Sequence, residues 1–172
     1  MCRVGLVGYN GFFEFNLRLL MINNDILRRI ATISNFSDED VLSVFDLGNS
    51  SVSNDLLKSF YLEKDQSAYA EVSDKQLAGF LNGLIVEKRG PSDGPARENE
   101  TELTNNVVFN KVKIAYSFKA EDVIEVMALA DITLGKYELS AFFRNVNHKH
   151  YKACSDDVLS GFLKGLKIKH SK

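Results

Sequence analysis

The chain repeats itself. Sliding the 172-residue sequence by 82 positions aligns residues 23–90 with residues 105–172 without a gap, and 19 of the 68 aligned pairs are identical. Such self-similarity is typical of proteins built from copies of one supersecondary unit. The identical pairs fall mainly at positions that cap or bury helices, which chance does not explain. The sequence therefore predicts two homologous modules, residues 23–90 and residues 105–172, packed together with pseudo-twofold symmetry.

Each copy shows helical periodicity. In the clearest segment, apolar residues recur at positions i, i+3, i+4 and i+7 in both copies. These residues are Leu77, Phe80, Leu81 and Leu84 in the first copy and Leu159, Phe162, Leu163 and Leu166 in the second. Three further periodic segments precede this one in each copy. We expect an all-α fold with four helices per module and no significant sheet.

Polar residues mark where these helices begin and end. Ser73 and Gln76 form a capping box ahead of the fourth helix, and Gly90 is a typical residue at its end. Asparagine pairs at 23–24 and 105–106 precede the first periodic segment of each copy. Because asparagine is a preferred N-cap residue, we interpret these pairs as N-caps.

Two glycines interrupt the fourth helix of each copy. They are Gly79 and Gly83 in the first copy and Gly161 and Gly165 in the second. A glycine inside a helix costs about 1 kcal/mol relative to alanine, so another interaction must compensate. We predict that these glycines let two fourth helices, or a fourth helix and its neighbour, approach closely about a pseudo-twofold axis. The alternative is a backbone surface left open for a ligand.

Two segments lie outside the repeat. Residues 91–104 hold both prolines of the chain, Gly94 and three glutamates, a composition that predicts a flexible acidic linker. Residues 1–22 are interpreted as a leader or an upstream extension that contributes little to the fold. They lack the order of basic end, apolar stretch and small-residue cleavage site that defines a secretory signal.

The cysteine count and the lengths of the apolar runs indicate the cellular compartment of the protein. The chain has only two cysteines, Cys2 and Cys154, which argues against a disulfide framework and favours a reducing environment. No apolar run reaches the length of a membrane span. We therefore predict a cytoplasmic protein with no membrane partner.

The run Phe-Leu-Asn-Gly-Leu-Ile-Val-Glu-Lys-Arg-Gly at 80–90, its counterpart at 162–166 and the Asn-Asn pairs resemble the YehS-like family of bacterial proteins. The resemblance extends from Met21 to the C-terminus and covers both copies. It implies a short cytoplasmic protein of two tandem helical modules, and because the family is described as a domain of unknown function, it implies no activity. It also implies that Met21 is the natural start, with residues 1–20 outside the family pattern.

No enzymatic motif is present: the sequence has no phosphate-binding loop, no helical pair of zinc histidines and no nucleophile elbow. We predict no catalytic residue, no cofactor and no metal. One group could nevertheless hold zinc. It consists of His148, His150 and Cys154 with Asp156 or Asp157. The first copy has no histidine or cysteine at the aligned positions, so the shared fold needs no metal and we favour ordinary loop residues.

Charge is divided unequally between the copies. Residues 23–90 contain 7 basic and 11 acidic residues, net −4, whereas residues 105–172 contain 11 and 7, net +4. The basic residues of the second copy cluster near its end, at Lys164, Lys167 and Lys169. Such a patch could bind nucleic acid or an acidic partner, dock against the acidic first copy, or be a solvated face.

The second and third helices of the second copy resemble a helix-turn-helix. Lys136, Ser140 and Arg144 would share an i, i+4 stripe on the recognition helix. The connection at 130–135, however, is longer than the usual turn of about three or four residues. We therefore favour a non-enzymatic binding or adaptor protein of the bacterial cytoplasm with an unknown protein partner. The alternative is a nucleic-acid-binding regulator that uses the basic second module. The sequence indicates no particular oligomeric state.

Overall fold

The computed structural model describes residues 21–94 and 98–171, and this part of the chain forms eight helices and no strand. The first module contains α1 (Asn23–Ser34), α2 (Asp38–Leu47), α3 (Asn54–Phe60) and α4 (Asp74–Arg89). The second contains α5 (Asn105–Ala115), α6 (Ala120–Leu129), α7 (Lys136–Phe142) and α8 (Asp156–His170). The prediction of an all-α fold with two homologous four-helix modules is therefore confirmed. Within the described ranges, no helix is long and apolar enough to cross a bilayer.

Each module buries its apolar residues around its fourth helix. In the first module, the rings of Phe45 on α2 and Phe80 on α4 lie 5.2 Å apart. In the second, Phe109 on α5 and Phe162 on α8 lie 4.3 Å apart. All four residues are completely or almost completely buried. The periodic apolar positions of the sequence thus converge on one continuous core that spans both modules.

The helix ends agree with the sequence in part. Ser73 and Gln76 form the expected capping box before α4, and Gly90 ends that helix with a positive φ of 81°. The interpretation of the asparagine pairs as N-caps is wrong. Ile22 and Thr104 occupy the N-cap positions, and the asparagines lie in the first turn of α1 and α5.

The second asparagine of each pair instead holds a loop against the core. Asn24 is 1% exposed; its amide donates to the carbonyls of Phe60 (3.0 Å) and Ala70 (2.9 Å), and its oxygen accepts from the N–H of Val72 (3.0 Å). Asn106 makes the three corresponding hydrogen bonds in the second module, each 2.9 Å long. Buried backbone groups in a loop need such partners, so this pair fixes the segment between the third and fourth helices.

The helix glycines lie where α4 crosses α2 and where α8 crosses α6. A Cβ on Gly83 would stand 1.8 Å from the carbonyl oxygen of Val44, and one on Gly165 would stand 1.9 Å from that of Val126. Gly79 and Gly161 face side chains of the same crossings, and all four glycines are buried. The close approach is thus between the fourth helix and its neighbour within one module. It is not between the two fourth helices, and the buried backbone is not open to a ligand.

The modules are related by a pseudo-twofold axis. Ser34 and Tyr116 occupy the same position of the repeat, and their hydroxyl oxygens lie 2.9 Å apart. Direct contact between equivalent residues occurs only close to a twofold axis. Packing around this axis creates two equivalent seams between the modules, one where α4 meets α5 and one where α1 meets α8.

Backbone hydrogen bonds repeat across the two seams. The N–H of Leu103 donates to Asp74 Oδ2 at 2.9 Å, and the N–H of Met21, the equivalent residue, donates to Asp156 Oδ2 at 3.3 Å. Met21 therefore belongs to the folded structure, as Ile22 does, although both fall within the predicted leader 1–22. Residues 1–20 of that predicted leader lie outside the described residues.

Candidate functional site

The linker fills the seam between α4 and α5. The Asn99 side-chain amide donates to the carbonyl of Gly48 at 2.9 Å, and its oxygen accepts a hydrogen bond from Asn82 Nδ2 at 2.8 Å. Leu103 is bonded to α4 as described above. Within the predicted flexible linker 91–104, Asn99 and Leu103 thus form hydrogen bonds with the first module.

A buried cation lies beneath this part of the linker. Lys111 on α5 is 6% exposed, and its ammonium group lies 2.8 Å from Glu100 Oε1 and 2.5 Å from Asn82 Oδ1. A buried ammonium group is strongly unfavourable unless it is paired and hydrogen-bonded. Glu100 supplies the negative charge, and Asn82 supplies a second hydrogen-bond acceptor. The linker carboxylate therefore neutralises the buried ammonium group at this seam.

The equivalent seam between α1 and α8 is an open groove of about 390 Å³. Its apolar floor contains Ile33 and Leu163. Four cationic side chains line it: Arg28, Arg29, Lys164 and Lys167. By the 82-residue repeat, Arg29 stands where the other seam has Lys111, and Lys164 stands where it has Asn82. We name this cavity the α1–α8 groove.

Most of the positive charge in the α1–α8 groove is unbalanced. Arg28 forms ion pairs with Asp25 (3.7 Å) and Glu63 (3.4 Å). Within residues 21–94 and 98–171, no carboxylate forms an ion pair with Arg29, Lys164 or Lys167. Within the part of the chain that the structure describes, Arg29 donates a hydrogen bond to the hydroxyl of Ser160, at 2.8 Å. Like charges on the facing helices repel, and among the described residues no segment fills this seam as the linker fills the α4–α5 seam.

Carboxylates lie at one end of the groove. A second cavity of about 480 Å³, near the N-termini of α1 and α8, is lined by Asp25, Asp156 and Asp157 together with both arginines. Asp156 is occupied by hydrogen bonds from Met21 N and from Asn105 Nδ2. The groove thus changes from acidic at the helix N-termini to basic toward Lys164 and Lys167.

The structure separates the residues that the sequence analysis grouped as contacts for nucleic acid or an acidic partner. Lys164 and Lys167 line the α1–α8 groove, whereas Lys169 lies 3.9 Å from Glu125 and packs over the ring of Phe118. Lys136, Ser140 and Arg144 belong to α7 or directly follow it. Lys136 pairs with Glu121 at 3.0 Å, Arg144 donates to Ser140 at 3.4 Å, and none of the three lines the groove.

The two arginines of the groove are not apparent from the sequence. Arg28 and Arg29 belong to the acidic first module, so the count of charge by module directs attention away from them. The signal that could have found them is the repeat itself. The repeat aligns Arg29 with Lys111 and Lys164 with Asn82. The contact between Lys111 and Asn82 is known only from the structure, so only the structure indicates that Arg29 and Lys164 face each other.

The acidic and basic modules do not dock through their charges. Within the described ranges, no ion pair joins a side chain of residues 23–90 to one of residues 105–171. The cation and carboxylate that do meet across the α4–α5 seam are Lys111 and Glu100 of the linker. Among the described residues, the first module's carboxylates therefore pair with Arg28 of the groove but not with Arg29, Lys164 or Lys167.

The histidine and cysteine group considered for zinc is not assembled. His148 and His150 are exposed loop residues, and the His148 ring nitrogen accepts a hydrogen bond from the backbone of His150. Cys154 is 6% exposed and lies in the core beside Asn106. No three histidine, cysteine or carboxylate side chains of residues 21–94 and 98–171 converge to hold a metal ion.

Burial raises the pKa of the Cys154 thiol to about 12, and the charge of Asp156 adds to the effect. The thiolate is the nucleophile, so a raised pKa suppresses alkylation. In a Cys2→Ser variant we expect iodoacetamide to modify Cys154 at pH 8 about 100-fold more slowly in the native protein than in urea. Mass spectrometry of timed samples measures both rates. Equal rates would contradict the buried placement of this thiol.

These features define a tandem-repeat helical protein in which two copies of one four-helix module are joined by a linker that takes part in their seam. The chain belongs to the family described as "Protein of unknown function (DUF1456)", which matches it twice, at residues 23–90 and 105–171. A relative of the chain is "Uncharacterized protein YehS" of Escherichia coli (strain K12), 33% identical over 147 residues, which cover 85% of this chain and 94% of that protein. The resemblance to the YehS-like family is confirmed. No solved structure matches the chain.

Proposed function

We propose that this protein is a non-enzymatic binding or adaptor protein of the cytoplasm and that its α1–α8 groove binds an acidic segment of a partner protein. The observation that carries the proposal is the set of three cations, Arg29, Lys164 and Lys167, that no carboxylate of the described residues pairs with. A concave site with unbalanced positive charge attracts a negatively charged ligand.

The form of the groove favours a polypeptide over a nucleic acid. Asp25, Asp156 and Asp157 stand at one end of the groove, and a phosphate backbone running along it would meet these carboxylates. A protein segment carries charge only at chosen positions, and it can place neutral residues there. The apolar floor formed by Ile33 and Leu163 likewise suits side chains better than phosphates.

The alternative, a nucleic-acid-binding regulator, depends on Lys136 and Arg144. These residues lie at α7, a helix of seven residues that is about 10 Å long and is shorter than the usual recognition helix. Lys136 already pairs with Glu121. This alternative requires α7 and the cations of α8 to contact one nucleic acid together, so it is tested in the same experiment.

Binding of labelled probes to the full chain tests the two functions. The probes are a fluorescein-labelled peptide of alternating glutamate and glycine, a mixed-sequence DNA and a mixed-sequence RNA, each titrated over a series of salt concentrations. Two double variants remove equal charge, Lys164→Ala with Lys167→Ala and Lys136→Ala with Arg144→Ala. We expect the acidic peptide to bind, more weakly at high salt, and the α8 double variant to lose about five- to tenfold in affinity.

The α7 double variant is the matched control and should leave peptide binding nearly unchanged. Tight, salt-dependent binding of DNA or RNA that the α7 variant weakens would instead support the nucleic-acid function. Failure of the peptide to bind at low salt would contradict the proposed adaptor function.

A further inference from the structure

We propose that the α1–α8 groove binds its ligand in the pose that the protein's own linker takes in the α4–α5 seam. The ligand is a linear acidic peptide of a partner protein that places a glutamate or aspartate carboxylate on Arg29, with Lys164 beside it. This inference rests on the proposed function and specifies its ligand. The pseudo-twofold axis makes the occupied seam a template for the open one.

The first support is the correspondence of the residues that hold Glu100. In the occupied seam, Lys111 pairs with the Glu100 carboxylate at 2.8 Å, and Asn82 lies beside it. At the equivalent positions the α1–α8 groove has Arg29 and Lys164. Arg29 carries a positive charge, as Lys111 does at the equivalent position, and its planar guanidinium group can form two hydrogen bonds with a carboxylate. The groove therefore keeps the cation of the carboxylate site, and among the described residues no carboxylate pairs with it.

The second support is the charge added around that site. Lys164 replaces the neutral Asn82, and Lys167 replaces the apolar Ile85. Lys164 and Lys167 are exposed and line the groove. A single carboxylate neutralises Lys111 in the occupied seam, whereas the groove presents three cations that no carboxylate of residues 21–94 and 98–171 pairs with. The ligand that matches them carries more than one acidic residue.

The third support is the shared geometry at the end of each seam. Leu103 N bonds to Asp74, and Met21 N bonds to Asp156, so the chain enters α5 and α1 along equivalent paths. The two seams thus share this backbone contact at the start of α5 and of α1.

The fourth support comes from the sequence that precedes the first copy. Leu17 and Arg18 are the residues that the repeat aligns with Asn99 and Glu100. Neither side chain carries a carboxylate, so these two positions of the repeat do not supply a counterpart of Glu100, and we take the carboxylate from another polypeptide.

The linker itself supplies the probe. A fluorescein-labelled peptide with the sequence of residues 98–103 carries Glu98, Glu100 and Glu102. Its affinity for the full chain is measured by anisotropy, together with two peptides of equal net charge that carry Glu100→Gln or Glu102→Gln. We expect the Glu100→Gln peptide to bind about tenfold more weakly than the original and the Glu102→Gln peptide about twofold more weakly.

The chain offers a matched pair of protein variants. Arg29→Gln removes the proposed carboxylate contact and should weaken binding about tenfold. Arg28→Gln removes the same charge from the neighbouring residue, which Asp25 and Glu63 already neutralise, and should change binding by less than about twofold. Both side chains are at least partly exposed, and thermal melts confirm that the variants are folded.

The outcomes separate this inference from the proposed function. Equal losses of affinity for the two substituted peptides, or for the two arginine variants, would overturn the proposed pose. The proposed function would then be that of an adaptor that recognises charge alone. Binding of the alternating glutamate and glycine peptide without binding of the linker peptide would do the same. If neither peptide binds, both proposals fall. Sedimentation of the chain alone completes the test, because self-association abolished by Arg29→Gln would make the occupant a second copy and overturn the partner peptide.

Discussion

Replacing Gly83 with alanine is expected to destabilise the protein by more than about 3 kcal/mol, although alanine is the better helix former. The added Cβ would stand 1.8 Å from the carbonyl oxygen of Val44 and 2.9 Å from the backbone nitrogen of Gly48. Both are main-chain atoms of the helix crossing, so no side-chain rotation can relieve the overlap and α4 must move away from α2. Urea denaturation followed by far-UV circular dichroism measures the loss.

Other glycines of the chain provide the controls for this prediction. Gly165 repeats the same geometry against Val126 in the second module, so Gly165→Ala should be similarly severe. A Cβ on Gly161 meets mainly the end of the Ile132 side chain, which can rotate, so Gly161→Ala should cost less. Gly94 has open space around it, and Gly94→Ala should leave stability unchanged within about 0.5 kcal/mol. A Gly83 variant as stable as the Gly94 variant would refute the close crossing.

The helix glycines illustrate how far the sequence defined the fold. Spacing and repetition identified Gly79 and Gly83 as packing residues, because a helix tolerates their cost only where another helix approaches. Which helix approaches could not be predicted, since a stripe of small residues fits any partner. The structure assigns the contact to the adjacent helix of each module and leaves the pseudo-twofold axis to other residues, such as Ser34 and Tyr116.

The linker shows a second limit of structure prediction from the sequence. A segment with two prolines, glycine and glutamates has the composition of a mobile connection, and composition contains no information about individual contacts. Asn99 and Glu100 become ordered because they meet unpaired groups of α4 and α5, above all the ammonium group of Lys111. Such complementarity depends on residues that are distant in the sequence, so it emerges only when the helices are packed.

The candidate site was predictable only in part for the same reason. The basic end of the second module, with Lys164 and Lys167, was visible in the sequence as a cluster of charge. Those lysines line a groove that α8 forms with α1 of the other module. Arg29, which lies on α1, belongs to a module of net negative charge. Comparing the two equivalent seams reveals the site, because Glu100 pairs with the cation of one seam, whereas no carboxylate of the described residues pairs with Arg29 in the other.

Asn24→Ala should be nearly as damaging as Gly83→Ala, with a loss of more than about 3 kcal/mol, because three backbone groups, two of them in buried hydrogen bonds, lose their partner at once. These groups are the carbonyls of Phe60 and Ala70 and the N–H of Val72. Water cannot replace the amide readily, since Asn24 is 1% exposed. Urea denaturation measures the free energy of unfolding, and Asn106→Ala should repeat the effect in the second module.

Asn23 is the matched control for this last prediction, because it is the same residue type one position away. Its amide donates to Val72 O at 3.0 Å and to Asp74 Oδ1 at 2.7 Å, but its side chain is only partly buried. Water can therefore satisfy the groups that Asn23→Ala leaves free, and we expect a loss of about 1 kcal/mol. If the two asparagines act simply as caps at the start of α1, both variants should cost the same. A markedly larger loss of stability for Asn24→Ala would show that its hydrogen bonds hold the loop before α4 against α1.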